Sequence, residues 1–305
     1  MVVLNFIRGL CMAIADSVPG VSGGTIAFIL GFYDDFLNSI NAILYGERED
    51  KKLAFRFLMK IGVGWLTGFI LSVLFITSVF ERNIYEISSL FLGFVATSIP
   101  LIMISEFKTL RDNKGKSFFL ILGMCIVAAM TYLNPILSEG YSFSIRTENL
   151  NLLFIIYLFL AGMIAISAMV LPGISGSTIL LIFGLYVPIL NGIKQVLKLQ
   201  FNYLPALIIF TVGILFGVLM TVKIVRKLLN KNRGEMMYFI IGLMIGSLYA
   251  VTVGPTSLEN PKPAMNMSLF DLKYFIIGGV LIPILEIVKR IRERKMNKKL
   301  RSHEK

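Results

Sequence analysis

From Asn149 to Ile193 the chain carries no charged side chain. A membrane-spanning helix needs ~20 consecutive apolar residues, so this window alone can hold two segments at membrane depth. A buried soluble core fits poorly. A soluble domain has about a quarter of its residues charged, whereas this chain is 16% charged and 56% hydrophobic. Other apolar segments fall at roughly 2–33, 55–80, 87–107, 117–134, 203–225, 236–253 and 270–288. The sequence therefore reads as an all-α integral membrane protein.

Two of these segments are interrupted by the same motif. "DSVPGVSGGTIAFI" runs from Asp16 to Ile29, and "MVLPGISGSTILLI" from Met169 to Ile182. Pro and Gly stop a helix and free backbone groups that hydrocarbon cannot satisfy. Further matches follow in the same order. "GFYDDFLNSI" (Gly31–Ile40) aligns with "GLYVPILNGI" (Gly184–Ile193), and "VGWLTG" (Val63–Gly68) with "VGILFG" (Val212–Gly217). "EISSLFLGFVATS" (Glu86–Ser98) aligns with "EMMYFIIGLMIGS" (Glu235–Ser247). The ordered series points to internal duplication, and the small residues of "GWLTG" and "GILFG" suit helix-packing faces.

The positions of Lys and Arg set the orientation of the two copies. Arg48, Lys51, Lys52, Arg56 and Lys60 follow the first segment, and Lys108, Arg111, Lys114 and Lys116 lie near another connection. Lys223, Arg226, Lys227, Lys231 and Arg233 form a third cluster, and the tail from Lys289 to Lys305 holds nine of the thirty basic residues. The connections near Arg82, Arg146 and Lys262 are poor in basic residues. Rich loops lie in the cytoplasm, so both termini are expected there. The first broken segment then begins and ends inside, and the second begins and ends outside, with Lys194 and Lys198 counting mildly against the latter. The expected architecture is two inverted repeats, each a broken, re-entrant helical hairpin plus three transmembrane helices. Its parts are residues 1–134, an extracytoplasmic linker 135–149, residues 150–288, and a basic cytoplasmic tail 289–305.

In each motif Pro-Gly ends one helical arm, and Ser22 or Ser175 is placed to cap the next. Gly23 and Gly176 allow close approach of another backbone. Exposed N–H groups at a helix start, together with the hydroxyls of Ser22, Thr25, Ser175 and Thr178, suit an anion, phosphate above all. A plain tight turn between packed helices is the simpler reading of one copy. Two inverted copies favour a ligand site near the midplane, an arrangement typical of transporters. Arg8 and Asp16 are charges inside an apolar segment. Arg8 can pair with a phosphate or with Asp16; Asp16 can carry a proton or cap the following arm. Glu106 and Glu286, near span ends and basic residues, read as interfacial ion pairs.

Several classes fall away. The one histidine is His303, in the tail, so His-based zinc ligation and Ser-His catalysis are not expected. Cys11 and Cys125 lie far apart in apolar segments and read as small core residues. No metal or cofactor is expected. The formal net charge of +12 suits anionic lipid headgroups; no folded basic domain accompanies the tail to suggest nucleic acid. The apolar N-terminus has its only basic residue, Arg8, within the apolar run, and is read as mature structure rather than a signal peptide.

With "DSVPGVSGGT" and "LPGISGST" the chain resembles the bacterial polyprenyl-phosphate transporter family over nearly its full length. The resemblance implies translocation of undecaprenyl phosphate across the bacterial cytoplasmic membrane, recycling this carrier to the cytoplasmic leaflet for cell-wall precursor synthesis. It implies a phosphate site at Pro19, Gly20, Ser22, Gly23, Gly24 and Thr25, and at Pro172, Gly173, Ser175, Gly176, Ser177 and Thr178. Arg8 and Asp16 rest on the physical argument alone. A membrane polyprenyl-pyrophosphate phosphatase is the alternative from the enzyme class. Its Pro-Gly-x-Ser-Arg-Ser loop is loosely similar, but Gly23 or Gly176 stands where that loop has its phosphate-clamping Arg. A small-anion or ion transporter is a third reading.

Overall fold

The computed structural model describes residues 2–16, 21–72, 83–138, 144–257, 261–281 and 283–284. Among these residues the regular structure is entirely helical. The elements are α1 (Val2–Asp16), α2 (Gly23–Ile29), α3 (Tyr33–Tyr45), α4 (Arg48–Leu71), α5 (Ile84–Ser105), α6 (Phe107–Asp112) and α7 (Phe118–Ser138). They continue as α8 (Leu152–Val170), α9 (Gly176–Ile182), α10 (Tyr186–Leu197), α11 (Leu204–Lys231), α12 (Arg233–Val253) and α13 (Leu272–Leu281). Among the described residues six helices are long and apolar enough to cross a membrane, those built on α4, α5, α7, α8, α11 and α12. Their outer faces carry exposed large apolar side chains, such as Leu53, Leu66 and Ile70 on α4 and Ile208, Val212 and Leu215 on α11. In water such a continuous belt would be a liability; in lipid it is the solvated surface. Hydroxyls within the spans bond back to their own helices, as Thr97 does to Gly93, Thr131 to Val127 and Thr211 to Leu207.

One boundary differs from the sequence expectation. Arg48, Lys51, Lys52, Arg56 and Lys60 do not form a loop but the opening turns of α4. Glu49 and Asp50 in its first turn complement the positive end of the helix dipole. The end of the expected 55–80 segment lies outside the described residues, as does most of 282–305.

Small residues set the helix pairs. Gly64 on α4 faces the backbone of Phe6, and Gly68 that of Leu10, so α1 and α4 run parallel in contact. Gly213 and Gly217 on α11 face Phe159 and Met163 of α8 in the same way. These are the glycines of "VGWLTG" and "VGILFG", which are packing faces as expected. The pattern repeats across the chain. Gly93 on α5 packs against Phe275 of α13, and Gly242 on α12 packs against Leu120 of α7. Each of the two stretches thus has a helix packed on the other, α7 on α12 and α13 on α5.

Both broken segments double back. Gly176 lies beside Ala165 and Met169, and the Tyr157 hydroxyl donates to the carbonyl of Phe183, so α9 runs back along α8. Each return helix ends at a glycine with positive φ, Gly31 at 67° and Gly184 at 62°. Phe32 N–H bonds to Ala27 C=O and Leu185 N–H to Leu180 C=O, closing matching Schellman ends. The chain then turns sharply, by 104° between α9 and α10. The α3 helix lies against one end of α11, where Arg226 donates to Asn38 at 2.8 Å. The α10 helix lies at the opposite end, where Gly192 meets Ile145 and Leu207.

The packing gives a paired expectation on one helix. An added methyl at Gly64 meets the Phe6 backbone, whereas at Gly62 nothing stands within 4 Å. Gly64→Ala should destabilise the protein by about 1–3 kcal/mol. Gly62→Ala should be neutral or stabilise by up to about 1 kcal/mol through helix propensity. Thermal unfolding in detergent, comparing the two variants, checks this.

Candidate functional site

The two interrupted motifs meet. Gly173 N–H donates to Thr25 Oγ1 at 2.8 Å, and the Tyr33 hydroxyl donates to the carbonyl of Val170 at 2.9 Å. A side chain on Gly24 would strike the carbonyls of Met169 and Val170. Gly173 adopts φ +93°, and a side chain there would collide with the backbone of Leu243 on α12. Only glycine satisfies both demands at this position.

At the first tip Ser22 is the N-cap of α2 in extended conformation, and its Oγ accepts from Thr25 N–H at 3.2 Å. The hydroxyls of Ser22 and Thr25 lie 3.0 Å apart. Gly23 and Gly24 are buried with them. Pro19 and Gly20 lie outside the described residues. At the second tip Pro172, Gly173, Ser175 and Gly176 are buried, and Ser177 and Thr178 are half-buried. Ser175 precedes α9 at its N-cap position, but its hydroxyl pairs with that of Ser177 at 2.7 Å rather than capping the helix. The structure thus joins the first tip, with Ser22, Gly24 and Thr25, to the second through Gly173 and the Met169–Val170 backbone, while Pro172, Ser175 and Ser177 flank that junction in the second tip.

Asp16 and Arg8 go to different places. Asp16 Oδ1 accepts from Gly23 N–H at 2.6 Å, which is capping geometry, and Oδ2 accepts from Trp65 Nε1 at 3.0 Å. Arg8 donates to Asn5 Oδ1 at 2.9 Å, and its guanidinium stands 4.7 Å from the centroid of the Phe32 ring. Phe32 follows the far end of α2, so Arg8 lies at the base of the hairpin and not at its tip. Eight residues of helix separate Arg8 from Asp16 by roughly 12 Å, and no Arg8–Asp16 pair forms. Among the described residues no group of three His, Cys, Asp or Glu could hold a metal ion.

Glu106 forms the interfacial ion pair expected of it. Arg233 Nη2 and Nε approach its carboxylate at 2.5 and 3.2 Å, and Thr109 donates at 2.9 Å. Burial raises the Glu106 carboxyl, but the hydrogen bonds of Arg233 and Thr109 and the Arg233 charge outweigh this and hold it below its ordinary value. Glu286 lies outside the described residues. Sequence reasoning did not single out Trp65, Tyr33 or Leu243. Two signals were available. Trp65 is the chain's one tryptophan, inside an apolar helix, and a buried indole N–H usually finds a partner. Tyr33 and Tyr186 occupy the same position of the two aligned motifs.

Comparison with known proteins adds to the geometry. The chain matches the family described as undecaprenyl phosphate translocase-like over residues 12–269. A polyprenyl-phosphate transporter of Vibrio cholerae is 36% identical over 204 residues, 62% of this chain and 60% of that protein. A polyprenyl-phosphate transporter of Staphylococcus aureus is 37% identical over 214 residues, 70% of this chain and 72% of that protein. The match thus spans 60% of the length of the Vibrio relative. No solved structure matches it. With both interrupted motifs inside the matched residues, the chain belongs to the undecaprenyl phosphate translocase-like family.

Proposed function

We propose that this protein carries polyprenyl phosphate across a bacterial cytoplasmic membrane, the phosphate head passing the paired tips while the tail stays in lipid. The observation that carries this reading is the Gly173–Thr25 hydrogen bond, which joins the two copies of the motif at one point. Moving a phosphate through hydrocarbon is opposed by desolvation. The hydroxyls of Ser22, Thr25, Ser175, Ser177 and Thr178, together with backbone N–H groups of the tips, supply replacement hydrogen bonds in a water-poor setting. The relatives named as polyprenyl-phosphate transporters support the same substrate. Return of the carrier to the cytoplasmic leaflet, for reuse in cell-wall precursor synthesis, is the role we assign.

The mechanism we infer is alternating access about the tips, with the two hairpins re-entrant from opposite faces. Several contacts support opposed orientation. The end of the first hairpin lies among Asp34, Arg226, Arg233 and Glu106, where the basic end of α11 meets the start of α12. The second hairpin ends beside Ile145 and Leu207, where Arg146 bonds to Tyr203. By the positive-inside tendency the first end is cytoplasmic. In a chain with Cys11 and Cys125 replaced, a membrane-impermeant thiol reagent added outside should label Gly140→Cys and not Lys114→Cys. The reverse pattern would sink the opposed orientation.

Binding provides the test of the substrate. Purified protein should bind a short-chain polyprenyl phosphate and release no inorganic phosphate from it or from the diphosphate. Ser22→Ala or Ser175→Ala should weaken binding by about tenfold to a hundredfold, the worth of one hydrogen bond to a charged group. Ser175→Leu, which also fills the space, should weaken it further. Unchanged binding in all three variants would leave the motif a structural turn; phosphate release would make the protein an enzyme.

A further inference from the structure

The two tips are alike in sequence but not in chemistry. At the first, the carboxylate of Asp16 ties three elements together. It accepts from Gly23 N–H at the start of α2 and from Trp65 Nε1 on α4, while belonging itself to the end of α1. The Trp65 ring is half-buried and stacks on Phe69 at 5.2 Å with planes 8° apart. That contact fixes the direction in which the indole N–H points. At the second tip both partners are exchanged at once. Met169 stands at the position of Asp16, with its side chain beside Gly176, and Ile214 stands at the position of Trp65 in the aligned "VGILFG". Donor and acceptor are present as a unit in one half and replaced as a unit by apolar side chains in the other.

We propose that Trp65 is a positioning residue for translocation: its N–H holds Asp16 as a fixed internal anion that straps the first return helix to α4. This rests on the polyprenyl-phosphate reading given above. The Gly23 N–H is then already occupied by a carboxylate of the chain. The head must take its donors from the remaining groups of the two tips, and the first hairpin serves as a braced wall beside it. Without the indole N–H, one carboxylate oxygen in a water-poor setting loses its partner. The carboxylate then turns toward other donors, and the tip loses its geometry.

The strap is tested in full-length protein by a double-mutant cycle in proteoliposomes with a fluorescent short-chain polyprenyl phosphate. Trp65→Phe keeps the ring and its stacking but removes the donor, and should slow translocation about tenfold. Trp65→Phe combined with Asp16→Asn should be no slower than Asp16→Asn alone, because no carboxylate remains to be released. Losses that simply add would mean that Trp65 only fills space, and would overturn the proposal. A second readout needs no lipid. Emission of the single tryptophan should shift in Asp16→Asn; unchanged emission would show that the contact is absent and would also overturn it. An emission shift in Asp16→Asn, with a wild-type chain that moves no polyprenyl phosphate, would overturn the substrate reading, and the translocation role with it, while leaving the contact standing.

Discussion

Hydrocarbon offers no hydrogen-bond partners, so a chain that breaks a helix at membrane depth must enclose the break in protein. The rest of this structure depends on that constraint. The α8 helix stops at Val170 ahead of Pro172-Gly173, α2 and α9 start afresh after the breaks, and each start leaves backbone groups without partners along the helix. Those groups find partners in the tips themselves and across them. Ser22 caps α2, Asp16 takes the Gly23 N–H, Thr25 takes the Gly173 N–H, and Tyr33 reaches the Val170 carbonyl. The two tips hold one another through these contacts. The contact that satisfies the backbone also gathers hydroxyls from both hairpins into one place.

Enclosure requires that the surrounding helices come close, and small residues allow it. Gly64 and Gly213 seat α1 and α8 against their long neighbours, while Gly93 and Gly242 seat the exchanged helices α13 and α7. Because α7 lies on α12 and α13 on α5, each stretch is packed against a helix of the other. Leu243, against which Gly173 closes, sits on the same helix as Gly242. The second tip and the seam between α12 and α7 thus share one helix.

Much of this is legible in the residues. The charge-free window, the paired Pro-Gly-x-Ser-Gly motifs and the aligned glycine faces point to the spans, the broken hairpins and the packing surfaces. The Schellman glycines Gly31 and Gly184 can be read from "GFY" and "GLY". Partners are harder to read than elements. Nothing in sequence order says that α7 lies on α12 rather than on its own neighbours, because glycine spacing marks a face and not its mate. The Trp65–Asp16 contact joins residues on different helices, and neither shows a local pattern that names the other. Arg8 is another case: its place on the first arm follows from its position in the chain, but nothing local says that Phe32 stands beside its guanidinium.

The central claim is that the two tips form one passage for a phosphate head. It is tested most directly in proteoliposomes carrying a fluorescent polyprenyl phosphate, reading its leaflet position over time. The variant to compare is the double Ser22→Leu/Ser175→Leu chain, confirmed to insert and unfold like the wild type. The wild type should move the lipid between leaflets, and the double variant should leave it moving no faster than in protein-free vesicles. Movement through the double variant at the wild-type rate would contradict the account.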